Sequence, residues 1–313
     1  MCQVVPSEGP RIRTGASSGP SRRYCRVFGG VSLTHPTLSR LTTAPMRGLL
    51  TVLVRPGGRP PGRVAFEANC RRPEERSTGL RPHSAANDAS LSSRSEGTLL
   101  PIPDELPFDQ AAIIPDAVST PYAAIVGTGA VRPAQSVGIW GAGGLGAHAV
   151  RLARMVGAAP IIAIDPLPSA RERALLFGAD AALDPLAPGF AEAVREATAG
   201  RGLDVAFDFA GVGAARAQAA SVLGPFGSLV LAGLTPEPVT IADSIGFCFN
   251  VNQVRGHYGS EPEHVEQLVG LASAGRIALA PSITAHVPLA EAADAVARLE
   301  KKVGDPIRLV LTP

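Results

Sequence analysis

The sequence is nearly devoid of lysine: Lys301 and Lys302 are the only two in 313 residues. Its four cysteines, Cys2, Cys25, Cys70 and Cys248, form no CxxC or other close pair, which argues against a disulfide framework and a structural zinc knuckle. A reducing, cytoplasmic setting is expected. Aromatic residues make up 4% of the chain, and its first hundred residues hold only Tyr24, Phe28 and Phe66, too few to interleave with arginines in a nucleic-acid surface. The longest charge-free stretch, Ala217 to Pro236, is interrupted by Gly224, Pro225, Gly227 and Gly233, so no transmembrane helix is expected.

What is present divides at about residue 100. Residues 1–100 hold 15 Arg and 6 acids, a balance of +9, whereas residues 101–313 hold 14 basic and 21 acidic residues, a balance of −7. The first segment also contains 12 Ser, 11 Gly and 10 Pro. Its arginines at 11, 13, 22, 23 and 26 suggest a transit peptide or a nucleic-acid arm, but Gly9, Pro10, Gly15, Gly19 and Pro20 break any amphipathic helix there. The expectation for 1–98 is a largely irregular segment with one strand near Leu49–Val54.

From Leu99 the pattern becomes regular. Leu99 to Ile102 reads as a strand and Phe108 to Val126 as a helix; then short apolar strands alternate with helices of about ten residues. The strands are 137–140, 161–164, 181–183, 205–209, 228–232 and 254–258; the helices are 145–156, 169–177, 190–199, 214–223 and 262–274. Continuously apolar strands separated by helices predict an α/β fold, a doubly wound parallel sheet covered on both faces.

Gly141-Ala142-Gly143-Gly144-Leu145-Gly146 lies between the first strand and first helix of this pattern. In that context the first Gly permits a tight turn, the second a close approach of pyrophosphate, and the third close helix packing. Asp165 ends the second strand, nineteen residues after Gly146, where a carboxylate can accept hydrogen bonds from an adenosine ribose. Its competing reading is a cap for the next helix, a role Ser169 also offers. A carboxylate at 165 favours NAD over NADP, because a 2′-phosphate about 4 Å away would be repelled by roughly 4 kcal/mol at an effective dielectric of about 20, unless Arg171 or Arg173 compensates.

These blocks, with Phe177-Gly178-Ala179-Asp180, Asp204-Val205-Ala206-Phe207-Asp208 and Gly227 to Gly233, resemble the medium-chain, zinc-type alcohol dehydrogenases from about Leu99 to Pro313. The resemblance implies a Rossmann domain at 121–280 and a remnant of a GroES-like catalytic domain at 99–120 and 281–313. It implies hydride transfer between a primary or secondary alcohol, or its carbonyl, and NAD. The cofactor residues it implies are Gly141, Gly143, Gly144, Leu145, Gly146, Asp165, Ala210, Gly233 and Arg308. Asp116, six residues before Tyr122, stands where the family carries a catalytic zinc ligand. A homo-oligomer is implied by analogy, with no membrane or nucleic-acid partner.

The family's other zinc ligands have no counterpart: Cys25 is followed by Arg26 and Val27, and no His precedes a Glu. Residues 1–98 therefore read as a scrambled or a replaced catalytic barrel; the Lys-free, Arg-rich composition is that of GC-rich DNA translated out of frame, which favours the first. No catalytic residue is assigned, and His148 and His257 read as packed rather than catalytic histidines. Two alternatives to the dehydrogenase remain: an inactive NAD-binding paralogue, and a zinc-independent quinone or enoyl reductase, which Gly141 with Asp165 disfavours.

Overall fold

The computed structural model describes residues 23–26, 50–52 and 99–312, the first two segments as backbone only. The irregular segment expected over the rest of 1–98 lies outside the described residues. In chain order the elements are β1 (Arg23–Arg26), β2 (Leu50–Val52), β3 (Leu99–Ile102), α1 (Phe108–Ile113), α2 (Ser119–Ala123), β4 (Val137–Trp140), α3 (Gly146–Met155), β5 (Ile161–Ile164), α4 (Pro168–Leu176) and β6 (Ala181–Leu183). There follow α5 (Phe190–Ala197), β7 (Leu203–Asp208), α6 (Gly213–Ser221), β8 (Leu223–Leu231), α7 (Ser244–Phe249), β9 (Gln253–Gly256), α8 (Pro262–Ser273), β10 (Ile283–Pro288), α9 (Ala292–Glu300) and β11 (Arg308–Thr312). Wider π-type turns at Ile114–Val118 and Ala124–Thr128 follow α1 and α2. Pro115 and Pro121 lie within this helical run and contribute no N–H to its ladder.

The chain forms two compact units, one of Ala117–Ser260 and one that includes Glu261–Pro313 and the described residues up to Asp116. The Ala117–Ser260 unit is a six-stranded parallel sheet in the order β6-β5-β4-β7-β8-β9. The first three strands wind outward in one direction from β4 and the last three in the other, as in a Rossmann fold, so the switch point falls between β4 and β7. Strands β4 and β5 are buried at every position, as continuous apolar runs require when helices cover both faces. On one face Trp140, Ile162, Ile164, Leu203, Ala206 and Leu229 pack with Phe190 and Val194 of α5 and Ala219 of α6. Trp140 meets Phe190 edge-on at 6.2 Å and donates its Nε1–H to Gln218 Oε1 at 3.0 Å, so its one polar group is satisfied inside the core.

In the other unit β11 runs parallel between β10 and β2, and β1 pairs antiparallel with β3. Val287, Leu309 and Leu311 pack there against Ala292, Ala295 and Leu299 of α9.

Candidate functional site

Three turns leave the carboxyl ends of β4, β7 and β8, beside the switch point. The turn after β4 is pinned where Gly141 N–H reaches the Ile164 carbonyl at 2.8 Å. Gly141 has φ +86°, and a Cβ there would stand 2.9 Å from Ala210 N, so both conformation and space call for glycine. A Cβ on Gly146 would overlap the Gly141 carbonyl oxygen, whereas one on Gly143 would meet nothing within 4 Å. Gly146 thus serves the packing of α3, and Gly143 leaves space above the turn. No side chain caps α3, whose first turn is preceded by half-exposed Gly143, Gly144 and Leu145. Such a terminus, with its N–H groups and partial positive charge, suits an anion.

Asp165 is 5% exposed and stands at the end of β5. Its Oδ2 accepts from Ala142 N–H and its Oδ1 from Leu167 N–H, both at 2.9 Å. Asp165 braces the approach to α4 and ties the glycine turn to β5, but neither it nor Ser169 caps α4, whose N-cap position, Leu167, makes no side-chain cap bond. Each oxygen keeps a lone pair beyond these bonds for a ribose hydroxyl. Arg171 donates to the carbonyls of Asp165 and Pro166 at 2.7 and 2.9 Å and pairs with Asp184 at 3.4 Å, and Arg173 donates to the Ala142 carbonyl at 3.0 Å. Both guanidinium groups thus help fix main chain around Asp165.

The turns after β7 and β8 are packed backbone against backbone. A Cβ on Gly233 would collide with Gly211 N, and one on Gly211, at φ +65°, would lie 2.9 Å from the Leu234 carbonyl oxygen. Behind them Asp208, wholly buried, receives Arg216 Nε–H at 2.7 Å on Oδ2 and the N–H groups of Ala210 and Gly211 at 3.0 and 2.8 Å on Oδ1. Arg216 also donates to the carbonyls of Gly233 at 2.6 Å and Glu237 at 3.4 Å. The sequence points to Ala210 and Gly233 in these turns but not to Arg216 or Glu237. The available signal was Asp208 between Phe207 and Phe209, an acid in an apolar run that needs a counter-charge.

The two histidines have packed positions. His148 is 1% exposed within α3. The His257 ring is held by Thr128 Oγ1 on Nδ1 at 2.8 Å and by the Thr120 carbonyl on Nε2 at 3.0 Å. An Nε2–H that donates to the carbonyl leaves Nδ1 to accept from the threonine hydroxyl.

Asp116 and Arg308 belong to the unit other than the one with the glycine turn. Arg308 is 2% exposed; burial pushes its pKa down to about 10, against the upward pull of the Asp116 carboxylate. Among the described residues no three His, Cys, Asp or Glu side chains come together as a metal site. The described donor set therefore does not fit a catalytic zinc.

The glycine turn, the acid at the second strand end and the parallel sheet with its switch point form a Rossmann-like domain. Residues 144–274 match the family model for zinc-binding dehydrogenases. The NDMA-dependent alcohol dehydrogenase of Amycolatopsis methanolica is 33% identical over 204 residues, 63% of this chain and 55% of that protein. An alcohol dehydrogenase of Cupriavidus necator is 30% identical over 193 residues, 61% of this chain and 52% of that protein. Among solved structures, an alcohol dehydrogenase zinc-binding domain protein from Burkholderia ambifaria is 30% identical with a TM-score of 0.63, covering 69% of this chain and 58% of that one. The alcohol dehydrogenase of Aeropyrum pernix is 28% identical with a TM-score of 0.61, covering 70% and 63%. These matches make the chain similar to zinc-type medium-chain alcohol dehydrogenases, with the family model itself confined to residues 144–274. It spans about half the length of the curated relatives it matches.

Proposed function

We propose that the chain is an NAD-dependent oxidoreductase of the zinc-type alcohol dehydrogenase class, acting on a primary or secondary alcohol and its carbonyl. The observation that carries this reading is the glycine turn joined to Asp165 through the Ala142 N–H bond, at the switch point of the sheet. Gly143 would admit the pyrophosphate to the start of α3, Asp165 would hold the adenosine ribose, and the turns at Ala210 and Gly233 would flank the nicotinamide. Bound NAD supplies a hydride acceptor; the protein's part is to bind and orient it. In this proposal 121–280 is the cofactor domain, 99–120 and 281–313 are the catalytic-domain remnant, and the setting is cytoplasmic. Among the described residues no helix is long and apolar enough to cross a membrane.

A second reading, NAD binding without turnover, draws support from Asp116. Arg308 lies within electrostatic reach of its carboxylate, and a neighbouring cation opposes metal binding there. NAD titration, zinc analysis and turnover of short primary and secondary alcohols on the full chain separate the readings. Zinc near one per chain with turnover supports the dehydrogenase; NAD binding with neither supports the second reading; no NAD binding defeats both.

Asp165→Ser tests the cofactor preference. Loss of hydrogen bonds to a charged acceptor costs about 1.5–3 kcal/mol, so NAD affinity should fall on the order of tenfold while NADP gains relative to NAD. Competitive titration with both nucleotides checks this, and an unchanged NAD-to-NADP ratio would sink the assignment.

The proposed homo-oligomer is assigned to the edge of the nucleotide sheet. Among the described residues strand β9 pairs only with β8, and Phe226, Phe249, Val251 and Tyr258 nearby are each more than half exposed. Open strand edges and apolar patches invite pairing with another chain. The double variant Phe249→Asp and Val251→Asp should halve the mass measured by light scattering; a mass equal to the unaltered protein's would refute this edge as the contact.

A further inference from the structure

One buried guanidinium connects the two turns that close the second half of the sheet. Arg216 is 5% exposed and bonds the Asp208 carboxylate, the Gly233 carbonyl and the Glu237 carbonyl. Asp208 in turn fixes Ala210 and Gly211 through their N–H groups. The Glu237 carboxylate accepts Gly213 N–H at 2.5 Å, at the start of α6, where Val212 offers no side-chain cap. The turn after β7, the turn after β8 and the start of α6 thus share one set of bonds.

A doubly wound sheet receives a dinucleotide with one mononucleotide half on each side of its switch point. Asp165 at the end of β5 places adenosine over β4 to β6, which leaves the β7 to β9 side for nicotinamide. We infer that Arg216 is a positioning residue for the nicotinamide half, holding the turns at 208–213 and 233–237 in register with each other. This inference rests on the dinucleotide reading above. The adenosine half is anchored separately, by Gly141 N–H on the Ile164 carbonyl and Ala142 N–H on Asp165. A planar fork with donors on three nitrogens suits this role, whereas a lysine offers one point charge and cannot reach all three acceptors.

The test is titration of the full chain and its Arg216→Lys variant with NAD and with AMP, which occupies only the adenosine half. NAD affinity should fall on the order of tenfold, as for loss of charge-assisted hydrogen bonds. AMP affinity should stay within about twofold, as for an independent site. A merely structural role would lower both alike, so equal losses, or no loss of NAD affinity, would overturn the inference. If Arg216→Lys does not fold, Glu237→Ala at an exposed position removes only the acceptor of Gly213 N–H. It should weaken NAD about threefold, since exposure to water leaves this bond near the low end of a hydrogen bond's net worth, with AMP unchanged; equal or absent effects overturn the inference here too. An unaltered chain that binds neither nucleotide overturns the proposed function and this inference with it. Arg216→Lys retaining full NAD affinity overturns this inference alone.

Discussion

Gly146→Ala is expected to lower dinucleotide affinity tenfold or more, on the order of the loss of a hydrogen bond to a charged phosphate. The new Cβ would overlap the Gly141 carbonyl oxygen, a main-chain atom that the Gly141 N–H bond to Ile164 keeps from yielding. The start of α3 must then move off the turn, and overpacking of this kind also costs about 1–3 kcal/mol of stability. Gly143→Ala is the informative partner. Its Cβ meets no protein atom within 4 Å, so thermal unfolding should be unchanged while the methyl group stands where a pyrophosphate must approach. Calorimetric titration and thermal melts of both variants check the pair. If Gly143→Ala binds NAD as the unaltered chain does, the turn is not the pyrophosphate site.

Asp208→Ala should be the most destabilising single change in the Ala117–Ser260 unit. It leaves the Arg216 guanidinium buried without its carboxylate and removes the acceptor of the Ala210 and Gly211 N–H groups. Breaking a buried pair from one side costs about 3–5 kcal/mol, a large part of a typical stability of roughly 5–15 kcal/mol. At about 2–4 °C per kcal/mol the melting temperature should drop by on the order of 10 °C. Adding Arg216→Met should restore most of that loss, because an apolar replacement of both partners removes the unpaired charge. Thermal melts of the two single variants and the double variant measure this coupling. A cost below about 1 kcal/mol for Asp208→Ala, the range of an exposed pair, would contradict the burial and bonding described here.

The sheet was legible in the sequence where strands are short, apolar and bounded by turn residues. The strands at 137–140, 161–164 and 181–183 lie where their apolar runs place them. The strand expected at 228–232 instead begins at Leu223, because Gly224-Pro225-Phe226-Gly227, which reads as a turn, is carried as an irregularity within β8. Pairing with β7 shifts register there, and Phe226 takes φ +61°. Helix α7 escaped notice because none of its six residues is buried, which leaves no apolar periodicity; its one local signal is Asp243, whose carboxylate accepts Gly246 N–H. At the candidate site, Gly141 to Gly146 and Asp165 stand out in the sequence because a local motif marks them. Arg216 does not, because its role depends on a carbonyl seventeen residues away in another turn.

The floor of the crevice is made almost wholly of main chain: Gly141 against Ala210, and Gly211 against Gly233. A ligand resting on it would be recognised by peptide dipoles and by the absence of side chains, not by a particular set of them. Such a surface can persist through extensive sequence drift, since substitutions elsewhere leave peptide geometry in place. A protein only 30% identical can therefore keep the fold, as the TM-score of 0.63 shows.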